Sequence, residues 1–233
     1  MEVTSKGTEQ TKGEDLAKAF DVQYEKLKEL GCPEQILDLL RKQRDGVLKK
    51  AGEMTIGEGN IPFLPVIPYP YLSPYTLMSM VRIRGKAGFN YLKPADIKNV
   101  VKVPDDPYYI FDIDTGKGTQ GKSPEEVYKT SSEQGRRCLT ADEVMNLCIY
   151  IDILSNHYVL ACGSRYSSDG IPNVTVIGGD YPGLGWLPAD FSGGGWASAT
   201  CVALGNEDSV ALAGGAGAAS SGREGCSDCG GKL

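Results

Sequence analysis

The stretch PNVTVIGGDYPGLGWLPADFSGGGWASATC, residues 172–201, contains both tryptophans of the chain and a dense set of glycines. Branched and apolar residues near its two ends predict strands at 173–177 and 200–204. Between them the glycines allow unusual backbone angles and close packing, which predicts a long loop at 178–201. The segment therefore indicates a β-rich C-terminal half organised around a loop rich in glycine and tryptophan.

This loop is the first candidate binding site. Trp186 and Trp196 provide aromatic surface, and Asp180 and Asp190 provide charge. Aromatic side chains on a glycine-rich loop can form a pocket for a small molecule or a peptide, to which Arg165 would add a cation. The same side chains can instead pin a large loop against the protein's own surface. The residues alone leave both interpretations open.

The N-terminal part of the chain is predicted to be helical. Residues 1–13 are polar and predicted to be disordered. Apolar residues then recur at helical spacing over 14–30 and 33–50, which predicts a helical hairpin. Residues 61–76, IPFLPVIPYPYLSPYT, contain prolines that argue against a helix and a central strand. Since this segment is strongly apolar, we expect an extended strap over the protein's own core rather than a ligand for a partner's groove.

Two later helices have marked starts. Ser123-Pro124-Glu125-Glu126 and Thr140-Ala141-Asp142-Glu143 both read as capping boxes. The second opens a helix, to about residue 155, that is apolar nearly all round and is therefore expected at the centre of the domain. Further strands are predicted at 100–103, 108–113, 157–163 and 209–213. This order lacks the regular alternation of a parallel sheet, so we expect an α+β fold with a largely antiparallel sheet.

The predicted domain organisation follows from these elements. One α+β domain is expected to cover residues 14–213, with the helical hairpin and the central capped helix packed on the sheet. The last segment, 214–233, is rich in glycine and serine and is expected to be a flexible tail.

Residues 116–123, GKGTQGKS, match the phosphate-loop pattern G-x-x-x-x-G-K-[ST]. A nucleotide-binding enzyme that uses Lys122 is therefore one hypothesis. Pro124 follows the motif directly and lacks the backbone N–H that such a loop presents to a phosphate. Asp112 and Asp114 precede the motif, and two carboxylates disfavour a polyphosphate. These features favour a polar loop that leads into a capped helix, with the match a coincidence.

Cys226 and Cys229 form a C-x-x-C pair near the C-terminus. Such a pair can be a redox dithiol or half of a zinc site, which gives a second function class. A zinc site would need ligands recruited from Cys201, Cys162 or His157. Without them, an exposed tail with incidental thiols is favoured. Four other cysteines adjoin apolar runs and are predicted to be small buried residues. These are Cys138, Cys148, Cys162 and Cys201.

Composition restricts the function classes further. The net charge of −6 argues against a nucleic-acid surface and against an anionic membrane surface. No apolar run is long enough for a membrane span, and the first residues do not resemble a signal peptide. We therefore expect a soluble, cytoplasmic protein with no catalytic signature and, apart from possible zinc, no cofactor. The leading hypothesis is a non-enzymatic module that binds an unknown small molecule or protein.

Several motifs carry a resemblance to a known group of proteins. They are IPFLPVIP at 61–68, Gly163-Ser164-Arg165, and Leu184-Gly185-Trp186 followed by Trp196 and Cys201. With them, residues 20–201 resemble a family of uncharacterised bacterial proteins, a domain of unknown function common in actinobacteria. The chain departs from that pattern at 187–196, where LPADFSGGGW replaces an aromatic residue and a histidine. The resemblance implies no activity or cofactor, and it directs attention to the region after Gly163.

Overall fold

A computed structural model describes residues 3–167, 170–177 and 181–203, and all of their side chains except those of 3–12, 176 and 177. The α-helices in this part of the chain are α1 Val3–Glu29, α2 Glu34–Lys42, α3 Arg44–Glu53, α4 Pro74–Met80, α5 Pro124–Glu133 and α6 Ala141–Tyr150. The first strands are β1 Ile61–Val66, β2 Arg82–Ile83, β3 Lys86–Ala87, β4 Phe89–Asn90, β5 Ile97–Asn99 and β6 Tyr108–Ile113. The later strands are β7 Arg136–Cys138, β8 Tyr158–Leu160, β9 Ser164–Tyr166, β10 Gly170–Ile177, β11 Tyr181–Pro188, β12 Trp196–Ser198 and β13 Thr200–Val202. The fold is α+β, as the sequence predicts.

The N-terminal helices differ from the prediction at two points. Helix α1 begins at Val3, so it includes residues 3–13, upstream of the start predicted near residue 14. Their polar sequence gives no apolar stripe to detect, but adding residues to an existing helix is much easier than nucleating one. The second predicted helix is divided at Gln43 into α2 and α3. The Gln43 side-chain amide donates a hydrogen bond to the Pro107 carbonyl at 2.8 Å. This bond connects the break between α2 and α3 to the residue that precedes β6.

The proline-rich segment is a strand for its first six residues. Strand β1 pairs antiparallel with β6, from Ile61 opposite Ile113 to Val66 opposite Tyr108. Phe63 and Leu64 are fully buried, so this part of the segment lies over the protein's own core, whereas residues 74–76 are helical and not extended. The prolines are compatible with a strand because β1 has a partner on one side only. The segment ends by entering helix α4.

Strand β6 is buried on both faces, although its sequence predicts one increasingly polar face. Asp112 lies there with a φ of 50° and is almost fully buried. Its Oδ1 accepts hydrogen bonds from the Gly57 N–H at 2.8 Å and the Asn60 amide at 2.7 Å. Its Oδ2 accepts from Arg136. Burial raises the pKa of Asp112, but these donors outweigh burial and hold the pKa below its usual value.

Both predicted helix starts are capped, and the full capping box is found at the second of them. Ser123 accepts a hydrogen bond from the Glu126 N–H at the start of α5. At the start of α6, Thr140 and Glu143 form a complete capping box. Helix α6 is buried on nearly all sides, as predicted, and ends at Tyr150, after which residues 153–155 form a short 3-10 turn.

The main sheet has seven strands. Its path runs β12-β8-β10-β11-β4, while β9 pairs with β10 and β5 pairs with β9. The longest pair is the antiparallel hairpin of β10 and β11, and two pairs, β12 with β8 and β11 with β4, are parallel. The predicted strand at 173–177 lies inside β10, and that at 200–204 is confirmed in part by β13, which pairs with β7.

Two predictions about the strands are wrong. The segment 178–201 is not a single loop, because β11 and β12 lie within it. Its glycines at positions 183 and 185 are compatible with a strand, since the hairpin supplies the backbone hydrogen bonds that a strand needs. Residues 100–103 form no strand, and β5 pairs just upstream of them. The predicted strand at 209–213 lies outside the described residues.

Candidate functional site

The main sheet separates two hydrophobic clusters. Successive side chains of a strand point to opposite faces. Val159, Val174 and Leu184 point to one face and belong to the main core. Leu160 and Ile171 point to the other face and belong to a smaller cluster. The smaller cluster also contains Val127, Cys138 and Cys162. We call the side of the sheet that bears Leu160 and Ile171 the second face.

The second face is crossed by a row of cross-strand partners. They are Ser198, Leu160, Asn173 and Gly185, on β12, β8, β10 and β11. Two residues further along the hairpin, on the same face, Thr175 of β10 is the partner of Gly183 of β11. A Cβ atom at Gly185 would have one neighbour within 4 Å, the Asn173 Oδ1 at 3.9 Å. The surface above Gly185 is therefore open where any other residue would place a side chain.

Asn173 is the buried polar group of this row. Its side chain is only 2% exposed, and its Nδ2 has no hydrogen-bond partner among the described residues. A buried amide donor without a partner is unfavourable by about 1–3 kcal/mol. Most such groups in native proteins are satisfied, which makes this donor a candidate contact for a ligand.

Aromatic residues stand on both sides of these glycines. On the β12 side, Trp196 is the partner of Tyr158, with ring centroids 4.8 Å apart, and it also contacts Phe191 at 5.7 Å. These three side chains are half-buried. They form the first wall of a groove whose floor is Thr175, Asn173, Gly183 and Gly185.

The second wall comes from the opposite edge of the sheet. Phe89 on β4 is the partner of Gly183 and packs edge-on against Tyr91, with centroids 4.6 Å apart. Tyr181 lies 6.2 Å from Phe89, and the Lys86 ammonium sits over the Tyr181 ring. Strands β8 and β4 are separated by three strand spacings, so the walls arise from backbones about 14 Å apart.

The floor of the groove is polar and uncharged. Its floor offers an amide, a threonine hydroxyl and bare backbone, and its walls are aromatic rings. The charge placed at the second wall is the Lys86 ammonium, which lies over the Tyr181 ring. The arrangement suits a neutral ligand with flat or apolar surfaces and at least one hydrogen-bond acceptor.

A family model matches residues 20–178, and its description is a family of unknown function, DUF5701. The chain belongs to this family. The match confirms the resemblance to a family of unknown function, and it includes the segments 61–68 and 163–165 that carry much of it. The DUF5701 match also includes Asn173 and Thr175 of the groove floor and ends before β11. No curated protein and no solved structure matches the chain.

The structure does not bring the two tryptophans together. Trp186 has the same strand parity as Leu184, so it points away from the second face. It is 51% exposed, lies against the Gly170 backbone and has its ring centroid 6.2 Å from that of Tyr166. Of the two tryptophans, Trp196 contributes to the groove.

The other predicted site residues are also dispersed. Arg165 donates from Nη1 to the Cys162 carbonyl at 2.9 Å, and its guanidinium lies 5.9 Å from the Tyr128 ring centroid. It therefore lies beside the smaller cluster rather than in the groove. Asp190 is exposed on the turn after β11. The predicted ligand-binding residue Asp180 and the predicted metal ligands Cys226 and Cys229 lie outside the described residues.

Several groove residues were not identified from the sequence. They are Phe89, Tyr91, Tyr158, Asn173 and Thr175, whereas Gly183 and Gly185 lie within the predicted loop at 178–201. The detectable signal was period-two alternation: Asn173 and Thr175 alternate with valines, and Gly183 and Gly185 flank Leu184. That pattern predicts a strand with one buried face and one face of small or polar residues.

The phosphate-loop match does not form an anion site. The Gly116 N–H donates to Asp114 Oδ1 at 2.8 Å, and the Gly121 N–H donates to the Trp196 carbonyl at 3.2 Å. Several of the backbone donors that would hold a phosphate are therefore already used within the fold. The preceding strand β6 is antiparallel to β1 rather than part of a parallel sheet. These observations favour the interpretation of the motif as a coincidence.

Five cysteines lie in the described part of the chain, and all are buried and free, which agrees with the prediction made for four of them and adds Cys32. They are Cys32, Cys138, Cys148, Cys162 and Cys201. Within the same ranges there is no group of three or more histidine, cysteine or acidic side chains that could hold a metal ion. None of the described helices is both long and apolar enough to cross a membrane.

Proposed function

We propose that this chain is a binding protein whose ligand is a small uncharged molecule held in the groove of the second face. The observation that carries the proposal is the Asn173 amide beside the open position at Gly185: its Oδ1 lies 3.9 Å from a Cβ built there, and its buried Nδ2 has no partner among the described residues. A ligand oxygen that accepts from Nδ2 would remove the penalty of the unpaired donor. Binding would then be favoured by a group that the folded protein already holds in place.

The lining defines the ligand chemistry. The Asn173 amide requires an acceptor, such as a carbonyl or hydroxyl oxygen. The rings of Trp196, Tyr158 and Phe89 favour flat or apolar ligand surfaces packed against them. A carboxylate or phosphate would find no cation among the described residues of the floor, and the Lys86 ammonium at the second wall lies over the Tyr181 ring. A neutral sugar, nucleoside or capped amino acid has the required combination of groups.

The size of the groove favours a small molecule over a protein. A stable protein interface buries about 800 Å² on each partner. The open floor is two strands wide, and aromatic walls limit it on both sides. A compound of one or two rings fits these dimensions better than a flat protein surface.

The substitution Gly185→Val separates binding from folding. The position has space for a side chain, and valine is favourable in a strand. The free energy of unfolding of the variant should therefore lie within about 1 kcal/mol of the wild-type value. The added methyl groups would fill the floor beside Asn173. A panel of neutral sugars, nucleosides and capped amino acids can be tested by thermal shift, since a ligand raises the unfolding temperature of the form it binds. We expect at least one class to stabilise the wild type, with at least tenfold weaker binding to Gly185→Val.

The matched control is Trp186→Phe, which changes an aromatic residue on the opposite face. It should bind the same compound as tightly as the wild type. Equal binding to Gly185→Val, or stabilisation of neither protein by any compound of the panel, would contradict the proposed site.

Tryptophan fluorescence locates the ligand independently. The chain has two tryptophans, so Trp186→Phe leaves Trp196 as the reporter and Trp196→Phe leaves Trp186. A ligand in the groove should change the emission of Trp196, because this ring forms one wall. It should leave the emission of Trp186 unchanged. The opposite result would place the ligand on the other face of the sheet.

A further inference from the structure

Strand β5 forms an outer edge of the main sheet in the described part of the chain. It pairs with β9 on one side, and no other described strand pairs with it. Two backbone hydrogen bonds continue this pairing beyond the ends of β5. The Ser167 N–H donates to the Asp96 carbonyl at 3.1 Å, and the Val100 N–H donates to the Gly163 carbonyl at 2.9 Å. The backbone groups of residues 96, 98 and 100 therefore point toward β9.

The residues between them present their backbone to the outside. Because the backbone groups of successive residues point to opposite sides of a strand, the N–H and C=O groups of Asn99 and Val101 point away from β9. No described residue is hydrogen-bonded to these groups. Residues 100–103 have the sequence of a strand, but the described chain offers no second strand to pair with them. An open edge of this kind is a template for pairing with another chain.

Two cations lie side by side at this edge. Lys98 is the cross-strand partner of Arg165, so both side chains lie on the same face. Like charges directly opposite each other are destabilising in a sheet. Lys98 is exposed, and the Arg165 guanidinium donates to the carbonyls of Cys162 and Ser164. Neither cation forms a salt bridge with a described residue, so an added carboxylate would relieve their repulsion.

Exposed apolar surface adjoins the two cations. Val100 has the same strand parity as Lys98 and is 42% exposed. The Arg165 guanidinium lies 5.9 Å from the ring centroid of Tyr128, which is 37% exposed. Lys102 adds a further exposed cation two residues after Val100. The edge thus combines open backbone groups, apolar contact surface and positive charge.

We infer that β5 is a docking edge for an extended acidic segment of a partner protein, which pairs with it as an added strand. The backbone of Asn99 and Val101 would supply the hydrogen bonds, as in other cases of strand addition. Two carboxylates four residues apart would face Lys98 and Lys102, and an apolar residue midway between them would face Val100. A second copy of this chain fits poorly, because antiparallel pairing centred on Val100 would place lysine opposite lysine. The inference does not depend on ligand binding in the groove.

The test uses the full chain and two fluorescein-labelled peptides, TETVTET and TKTVTKT, whose charges match or oppose the spacing of Lys98, Val100 and Lys102. Binding is measured by fluorescence anisotropy. We expect TETVTET to bind at least about tenfold more tightly, although the net charge of −6 favours the basic peptide. Lys98→Glu with Lys102→Glu should reverse this preference. The matched control is Lys18→Glu with Lys42→Glu, which makes the same charge change on exposed sites of α1 and α2 and should retain the preference.

Amide hydrogen exchange tests the strand pairing itself. TETVTET should slow the exchange of the Asn99 and Val101 amides in the wild type, because each N–H would gain an acceptor. Binding of neither peptide, equal binding of both, or binding without slower exchange at these two amides would overturn the inference. Slow exchange that rises with protein concentration in the absence of peptide would overturn it in favour of a second copy. Should the lysine variant fail to fold, the exchange measured on the wild type still decides.

Discussion

Replacing Glu143 by glutamine is expected to lower the free energy of unfolding by about 3–5 kcal/mol, the usual effect of breaking a buried ion pair. The Glu143 carboxylate is completely buried at the start of α6. It accepts hydrogen bonds from both terminal nitrogens of Arg137, from the Thr140 N–H and from the Tyr108 hydroxyl. Glutamine would leave the buried Arg137 cation without a counter-charge and would turn an NH₂ group toward existing donors. Urea unfolding of the two proteins measures the difference.

The chain contains a matched control for this substitution. Glu126 occupies the same position in α5, three residues after the capping Ser123, but it is exposed. Glu126→Gln should therefore change stability by less than about 0.5 kcal/mol. Adding Arg137→Met to Glu143→Gln should recover part of the loss, because it removes the unpaired cation. A Glu143→Gln effect as small as that of Glu126→Gln would show that Arg137 and Glu143 are not a buried pair in solution.

The same pair predicts a pH dependence. Burial raises the pKa of Glu143, but Arg137, the Thr140 N–H and Tyr108 outweigh it and hold the pKa below its usual value. A carboxyl group with a lowered folded-state pKa stabilises the protein above its unfolded pKa of about 4.3. This stability is lost as the pH falls through the folded-state pKa. The acid-induced loss should be smaller in Glu143→Gln, measured as unfolding free energy between pH 7 and pH 3.

Sequence reasoning succeeded where the determinants are local. The start of α6 is specified by Thr140 and Glu143, three residues apart, and the all-round apolar pattern places that helix in the core. The same holds for the capped start of α5 at Ser123. In each case the hydrogen bonds join residues within one helical turn, so their chemistry can be read from neighbouring letters.

The groove could not be predicted in this way, because it depends on strand register. Asn173 lies opposite Gly185 because of the register in which β10 pairs with β11. A shift of that register by one residue would turn the side chains of one strand to the other face of the sheet. The walls come from Phe89 and Tyr158, which are far apart in sequence and meet through strand order. Trp186 and Trp196 show the converse, since a short separation in sequence did not place them on one face.

The loop at 116–123 gives the second large expected effect. Gly116 has a φ of 89°, and a Cβ atom there would lie 2.7 Å from the Ser198 carbonyl oxygen. Gly116→Ala would therefore add steric overlap with a backbone atom to the usual 1–2 kcal/mol strain of a left-handed residue. We expect a loss of about 3 kcal/mol or more in unfolding free energy, because β12 must move away.

Gly121 is the matched control, because it has a similar φ of 78° and no atom within 4 Å of an added Cβ. Gly121→Ala should cost about 1 kcal/mol, from backbone strain alone. Both variants can be measured by urea unfolding under the same conditions. The difference between them isolates the packing of the loop against Ser198, which is the contact that distinguishes this loop from a phosphate cradle. Equal losses of unfolding free energy in the two variants would show that the loop is not packed on β12. Its backbone donors would then be open to an anion, and the nucleotide hypothesis for Lys122 would regain support.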